Sequence, residues 1–448
     1  MRAALSALAA LLLLSSAQAD PKAKPGSEPD EIKGLAAPVG PLRIADAKLE
    51  PIAWSDLEGW GGDDHAAAFG VFLASCRALI AGQKTVRDPR PVYPGLVAAC
   101  ERAVAAVPLE GDAARQFFED NFRPVRISRL DTDTGLITGY YEPIIEGSRV
   151  ATAEFSVPLF RRPPDLVYLG RRSRIEPFPT SGRVVRRIRR GVYVPYYDRA
   201  AIEDGALAGK NLEICYVKSW IDVLFMQIQG SGRIRLEDGT VLSINYDAQN
   251  GQPATSIGRL LLDRNLMSRD VMSMDRIRDW MAANPDTAKE LRRLNKSFVF
   301  FREVGLTEFD EAAGAQTVPL TPVRSIAVDR NLHVYGTPFF IDAALPIVSD
   351  APVTPFRRLM IAQDTGGAIV GPARADIFFG TGDEAGRVAG RIKQQGRYVM
   401  LVPRELDMIE AGKEMPLPRD RPPEANAVAP ASEPVTESVP VPQPKPKS

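Results

Sequence analysis

The chain has 448 residues, 45% of them hydrophobic and 25% charged, which is enough apolar material for a sizeable core and about two or three domains. Lys+Arg and Asp+Glu number 56 each, and this balance argues against a nucleic-acid partner, which needs a basic surplus. Two His and three Cys, with no C-x-x-C or H-E-x-x-H, leave no ordinary zinc site, and no metal or other cofactor is expected.

Residues 1–19 read as a secretory signal: Arg2, an apolar run over 3–14, then Ala17-Gln18-Ala19 as a small-x-small cleavage site. No Cys stands near that point to take a lipid. No later stretch reaches ~18 consecutive apolar residues, so an exported, soluble chain without a transmembrane helix is expected. Residues 20–40 are rich in Pro, Lys, Glu and Gly, and 416–448 hold ten of the 38 Pro. Both read as disordered, the first as a linker and the second as a tail or spacer through which a cell-wall protein partner could be reached.

Apolar spacing of three and four predicts helices over 64–79, 94–107 and 111–121. Cys76 and Cys100 lie in the first two, and export permits a disulfide there without requiring one. Strands are expected at 126–130 and 136–141, around the turn Asp133-Thr134-Gly135. Residues 161–190 hold ten Arg against Asp165 and Glu176, which reads either as a solvated loop or as a basic face for an anionic polymer. Residues 211–229 read as two β-type runs, with Cys215 as a buried free thiol in the first. A hairpin follows, 233–236 and 241–246, turning at Asp238-Gly239. Helical spacing returns at 256–263, 275–283 and 287–294. Residues 298–403 alternate short strands and glycine turns, with one helix at 384–394 closed by Gly396 as its C-cap. This order suggests a β-domain interrupted by an inserted second domain.

With so few His, acid–base chemistry must fall on carboxylates. His65 and His333 accompany no Gly-x-Ser-x-Gly, and the glycine-rich 380–386 has the wrong spacing for a dinucleotide fingerprint. Asp329, Asp364 and Asp376 each end or begin an apolar run beside glycine. A partly desolvated carboxyl near another carboxyl has a raised pKa, which suits a general acid, whereas turn capping is the structural alternative for each. Composition and spacing alone leave an exported carboxylate enzyme or a binding protein.

Six stretches narrow this. Thr138-Gly139-Tyr140-Tyr141-Glu142-Pro143, Met226-Gln227-Ile228-Gln229-Gly230-Ser231-Gly232, Asn245-Tyr246-Asp247-Ala248-Gln249-Asn250-Gly251 and Asn295-Lys296-Ser297-Phe298-Val299-Phe300-Phe301 resemble signatures of the MltA family of lytic murein transglycosylases. Ala327-Val328-Asp329-Arg330 and the run from Gln363 through Asp376 to Gly380 resemble that family's C-terminal three-aspartate (3D) domain. The resemblance implies a mainly β, α+β architecture: a double-psi β-barrel from 41–144 and 296–410, interrupted by a smaller β-domain over 145–295, with a glycan groove between them. It implies a periplasmic enzyme, soluble or peripheral at the outer membrane or wall, whose partner is the peptidoglycan glycan strand. One carboxyl would cleave the N-acetylmuramic acid–N-acetylglucosamine β-1,4 bond without water, leaving a 1,6-anhydro end.

By motif, Asp376 is the expected acid/base. Asp364 would hold its proton, stabilise positive charge on the sugar, or cap the Gly366-Gly367 turn. Asp329 is expected to fix barrel geometry. Tyr140 and Tyr141 offer sugar-stacking faces, at least one of them being core; Thr138, Gln229 and Ser231 are hydrogen-bonding candidates. Gly139, Gly230 and Gly232 would allow close glycan approach. Two other readings stay open: a hydrolytic muramidase using Asp376 and Asp364 as a pair, and a non-catalytic wall-glycan-binding module.

Overall fold

The computed structural model describes residues 44–406, except 45, 83–89, 91, 107–108, 170–182, 270 and 306–311. The expected signal, linker and Pro-rich tail, and the middle of the Arg-rich stretch, lie outside the described residues.

Strand β1 (Ala47–Pro51) leads through Asp64, whose carboxylate caps the Ala67 amide, into α1 (His65–Ile80). Helices α2 (Val92–Ala105) and α3 (Gly111–Asn121) follow. Cys76 and Cys100 are paired, joining α1 to α2. Then come β2 (Phe122–Arg129) and β3 (Gly135–Glu142), and after Pro143 the chain leaves for a second sheet. That region runs β4 (Ile144–Ser148), β5 (Val157–Phe160), β6 (Leu166–Tyr168), β7 (Val184–Arg189), β8 (Val192–Pro195), α4 (Arg199–Glu203), β9 (Glu213–Val217), α5 (Trp220–Gln229), β10 (Ser231–Leu236) and β11 (Val241–Gln249). Helices α6 (Ile257–Asp263), α7 (Met274–Ala283) and α8 (Pro285–Leu294) precede β12 (Val299–Val304). The chain returns through β13 (Ser325–Ala327), β14 (Pro338–Leu345), β15 (Thr354–Asp364), β16 (Arg374–Thr381), α9 (Asp383–Arg391) and β17 (Lys393–Pro403).

The first sheet runs β1-β2-β17-β14-β15-β13-β16-β3, and a further β17–β3 pairing closes its last six strands into a barrel. Within it β13–β15 and β16–β3 are parallel, the other pairs antiparallel. Barrel side chains such as Ile361, Phe340 and Leu401 share one core with Phe72, Leu96 and Phe118 of the helices. The inserted sheet has the order β12-β11-β10-β4-β9-β5, and β6-β7-β8 form a third, small sheet where the Arg-rich stretch showed only a loop or a charged face.

Two local readings are corrected. Residues 220–229 form a helix, not a second β run. Ser219 accepts the Asp222 amide hydrogen bond at the N-cap and Gly230, at φ +88°, closes the C-terminus. Those end signals decide the state of a short, all-apolar run that periodicity leaves ambiguous. Gly396 is no C-cap: α9 ends at Arg391, and Gly396 lies inside β17, where a Cβ would come within 2.5 Å of Ile137 Cδ1.

A buried ion pair fixes α1 on the barrel. Asp63 accepts both Arg324 guanidinium nitrogens at 2.8 Å and the Leu359 amide at 2.7 Å. Arg324→Ala strands the Asp63 charge and should cost about 3–5 kcal/mol in chemical denaturation, while Asp63→Leu with Arg324→Met should recover much of it. Equal losses in the single and double variants would show that the pair does not fasten the helix.

Candidate active site

Cross-strand register builds the site. Asp364 at the end of β15 and Asp376 on β16 both pair with Ala327 of β13, and Asp376 pairs on its other side with Thr138 of β3. At ~4.8 Å per strand, the two aspartate Cα atoms stand about 10 Å apart with only an alanine methyl between them. Tyr140, two residues from Thr138 and on the same face, reaches across this gap. Its ring packs on Phe378 at 5.3 Å and its hydroxyl donates to Asp364 Oδ2 at 2.8 Å.

The two half-buried carboxyls are held differently. Asp364 Oδ1 accepts the Ala315 and Thr365 amides at 2.9 and 2.8 Å, and Oδ2 accepts Tyr140. Both oxygens are engaged. Asp376 Oδ1 accepts the Thr138 hydroxyl, and Thr138 Oγ1 itself accepts from Arg374 Nη2 at 2.8 Å. With the Thr138 proton directed at Oδ1, the oxygen of Asp376 left to carry a proton is Oδ2. Among the described residues Oδ2 has no hydrogen-bond partner.

Burial raises the pKa of Asp376, against the opposing pull of the Arg374 charge and the Thr138 hydrogen bond. Asp364 is raised as well, chiefly by burial. Its backbone and Tyr140 bonds oppose the rise, and the neighbouring Asp376 adds to it. Desolvation and the two aspartates push the Tyr140 phenol well above its ordinary value, and Tyr335, near Asp364, is pushed up to about 12. Tyr140 therefore stays a donor.

The remaining predicted residues are spread over the joint to the second sheet. Gln229 Oε1 accepts the Tyr141 amide at 3.1 Å. Ser231 is half-buried in β10 opposite Asn245. The space beside Gly139 is filled by α9, since a Cβ there would meet Ala389 Cα at 2.8 Å; that beside Gly232 is filled by Met226. Tyr141, on the far face of β3 from Thr138, packs over Gly386. Tyr140 is the buried member of the tyrosine pair. Asp329 is buried at the end of β13 and accepts the Asn331 and Gly371 amides, both at 2.9 Å, which pins the turn before β16.

Sequence reasoning gave no role to Arg374, although it precedes Asp376 by two and so shares its face of β16, a period-2 signal that was available. It also missed Tyr335 and the Ala315 amide, which reach the site only through tertiary folding. Among the described residues no cluster of His, Cys, Asp and Glu could hold a metal. Nor, among the described residues, is any helix long and apolar enough to cross a membrane.

Two family models match the chain: the MltA specific insert domain over residues 136–302 and the 3D domain over 324–402. Membrane-bound lytic murein transglycosylase A of Vibrio cholerae is 34% identical over 266 residues, and that of Escherichia coli K12 is 34% identical over 269. These alignments cover 58% and 59% of this chain, and the chain spans 64% of the length of either relative. Among solved structures, a membrane-bound lytic murein transglycosylase from Agrobacterium tumefaciens is similar, with a TM-score of 0.73 at 37% identity, covering 80% of this chain and 98% of that one. MltA from Neisseria gonorrhoeae gives 0.67 at 30%, covering 84% and 98%. E. coli MltA with bound chitohexaose gives 0.56 at 29%, covering 83% and 96%. With the inserted sheet and the closing strands of the barrel each matched by its own model, and nearly the whole Agrobacterium structure matched, the chain belongs to the MltA family.

Proposed function

We propose that this chain is a peptidoglycan lytic transglycosylase in which Asp376 is the single general acid and base. The observation that carries this reading is the Arg374–Thr138–Asp376 relay, which engages Oδ1 and leaves Oδ2, without a partner among the described residues, to carry the proton of a carboxyl with a raised pKa. Oδ2–H donates to the glycosidic oxygen between N-acetylmuramic acid and N-acetylglucosamine as the C1–O bond breaks. The muramic C6 hydroxyl then attacks C1, and its proton passes to Oδ2. A 1,6-anhydro ring forms, no water is consumed, and the carboxyl ends the turnover protonated. No cofactor enters.

A paired-carboxylate hydrolase needs a second carboxylate with a lone pair aimed at water. Asp364 has both oxygens occupied by donors, which favours a stabilising role under the developing positive charge over that of a base. The two parallel strand pairs within the closed six-strand ring support a double-psi reading of the barrel. A glycan groove between barrel and insert is supported by the passage of β3 directly from the aspartate row into β4, and by the chitohexaose bound in the E. coli relative.

Asp376→Asn should lower turnover by about 10²–10⁴-fold while far-UV circular dichroism stays unchanged. Mass spectrometry of wild-type digests of sacculi should find anhydro ends, without ¹⁸O when the solvent is labelled; labelled reducing ends would favour the hydrolase. Because the acid must be protonated, kcat/KM should fall as pH rises through the raised Asp376 pKa. The same shift makes the native state bind this proton more tightly than the unfolded chain. Stability is thus lost as pH climbs from the ordinary carboxyl value to the native one, and Asp376→Asn should raise Tm at neutral pH by about 1–3 °C, with less gain under acid conditions. Thr138→Val removes a bond that favours the ionised form. It should move the alkaline limb to higher pH and lower kcat by roughly 10–100-fold; an unmoved limb would remove Thr138 from the relay.

A further inference from the structure

The strand that closes the barrel also reaches the strand pair that carries Asp376. Along β17, Lys393–Gly396 pair with Thr138–Gly135 of β3, and from Tyr398 onward the strand pairs with β2. Tyr398 stands where β17 parts from β3, and it is only 2% exposed. Its ring crosses Gly135: a Cβ there would meet Tyr398 Cε2 at 2.7 Å, so any side chain at 135 would strike the ring. The hydroxyl then lands between β3 and β16, where it accepts the Ala375 amide at 3.1 Å and donates to the Leu136 carbonyl at 2.8 Å. Leu136 stands opposite Arg374 and donates its amide to the Ala373 carbonyl at 3.1 Å, so in a parallel ladder its carbonyl faces the Ala375 amide. The Tyr398 hydroxyl bridges that rung. Ala375 and Ile137 turn into the core with Tyr398, and strand alternation turns their neighbours Asp376 and Thr138 to the opposite face. The Ala375 carbonyl is held as well, by Arg374 Nη1 at 2.6 Å. Both peptide groups of Ala375, the residue before Asp376, are therefore fastened by side chains.

We propose that Tyr398 is a positioning residue for the general acid: by fixing Ala375 against Leu136 from inside the barrel, its hydroxyl sets how closely Asp376 meets Thr138 on the other face. This deepens the proposed function and rests on it for Asp376 being the acid. A phenol suits the task because its one oxygen serves a donor and an acceptor at once, while its ring is held by close-packed neighbours. The charged and titratable groups around Asp376 are Arg374 on its own strand, Tyr140 on β3, Asp364 on β15, and on β17 Tyr398 and Lys393, the latter paired with Thr138. Helix α9 packs on the far face of β3, against Gly139 and Tyr141. Loss of the Tyr398 hydroxyl alters none of the other groups, so its effect on Asp376 has to pass through the strand pair.

The test compares wild type, Tyr398→Phe, Thr138→Val and the double variant on sacculi, with Leu401→Val as a control in the buried part of the same strand. Tyr398→Phe keeps the ring beside Gly135 and loses only the bridging oxygen, so far-UV circular dichroism should stay that of the wild type. It should lower kcat roughly tenfold and change KM less than about twofold, as expected for a misplaced catalytic group rather than lost binding. The alkaline limb of kcat/KM and the carbon-13 titration midpoint of Asp376 should both move to higher pH, because a slackened Thr138 bond favours the ionised carboxyl less. In the Thr138→Val background, Tyr398→Phe should leave the midpoint in place and change kcat less than about twofold, since the bond it acts through is already gone. Leu401→Val should lower Tm and leave the midpoint where it is. An unmoved midpoint in Tyr398→Phe, a fully additive effect in the double variant, or an equal shift in Leu401→Val overturns the proposal. The midpoint is read without substrate, so reducing ends from the wild type would sink the transglycosylase reading and leave this result standing.

Discussion

The site depends on the parallel pairing of β3 with β16, which puts Thr138 beside Asp376 and lets Arg374 reach the same hydroxyl. A threonine hydroxyl has one proton. With Arg374 donating to that hydroxyl and its proton directed at Oδ1, Oδ2 is the oxygen of Asp376 left to carry a proton. The row continues through Ala327 to Asp364, so one register decides both the spacing of the carboxyls and their division of labour. A slip of one residue in β16 would turn Asp376 to the opposite face and dissolve the arrangement.

The barrel holds this row still, and the joint to the inserted sheet holds the surroundings. Glu142, the last residue of β3, is buried and accepts Arg233 of β10 at 2.7 Å and the Thr381 hydroxyl at 3.0 Å. Three elements therefore converge on one carboxylate where the chain passes between sheets. Deeper in the insert, Arg199 donates to Gln227, to Asn295 and to Ser297, while Asn250 ties Tyr197, Lys296 and Phe298 together. These residues lie in or bond to the family signatures. Much of what makes those signatures recognisable is internal clamping.

The helices of the N-terminal region, the 233–246 hairpin and the aspartate-bearing strand ends were legible because each has strong local periodicity or turn chemistry. Residues 220–229 were not, since an unbroken apolar run fits a strand or a helix until its caps are weighed. The closure of the barrel was invisible: the β17–β3 pairing joins residues some 255 positions apart, and no local pattern encodes it. The glycines show the same limit. Gly139 and Gly232 read as room for a ligand, but their space is taken by Ala389 and Met226, partners supplied by tertiary packing. Arg374 was the avoidable omission, because strand alternation alone puts it on the face of Asp376.

This one carboxyl keeps its proton more readily than a free aspartate, despite an arginine close by. Carbon-13 NMR titration of the Asp376 side chain in the intact protein measures that directly. The account predicts a midpoint clearly above the ordinary carboxyl value near 3.9. A midpoint at or below that value would mean that the Arg374 charge outweighs burial, leaving no acid in place to begin the reaction.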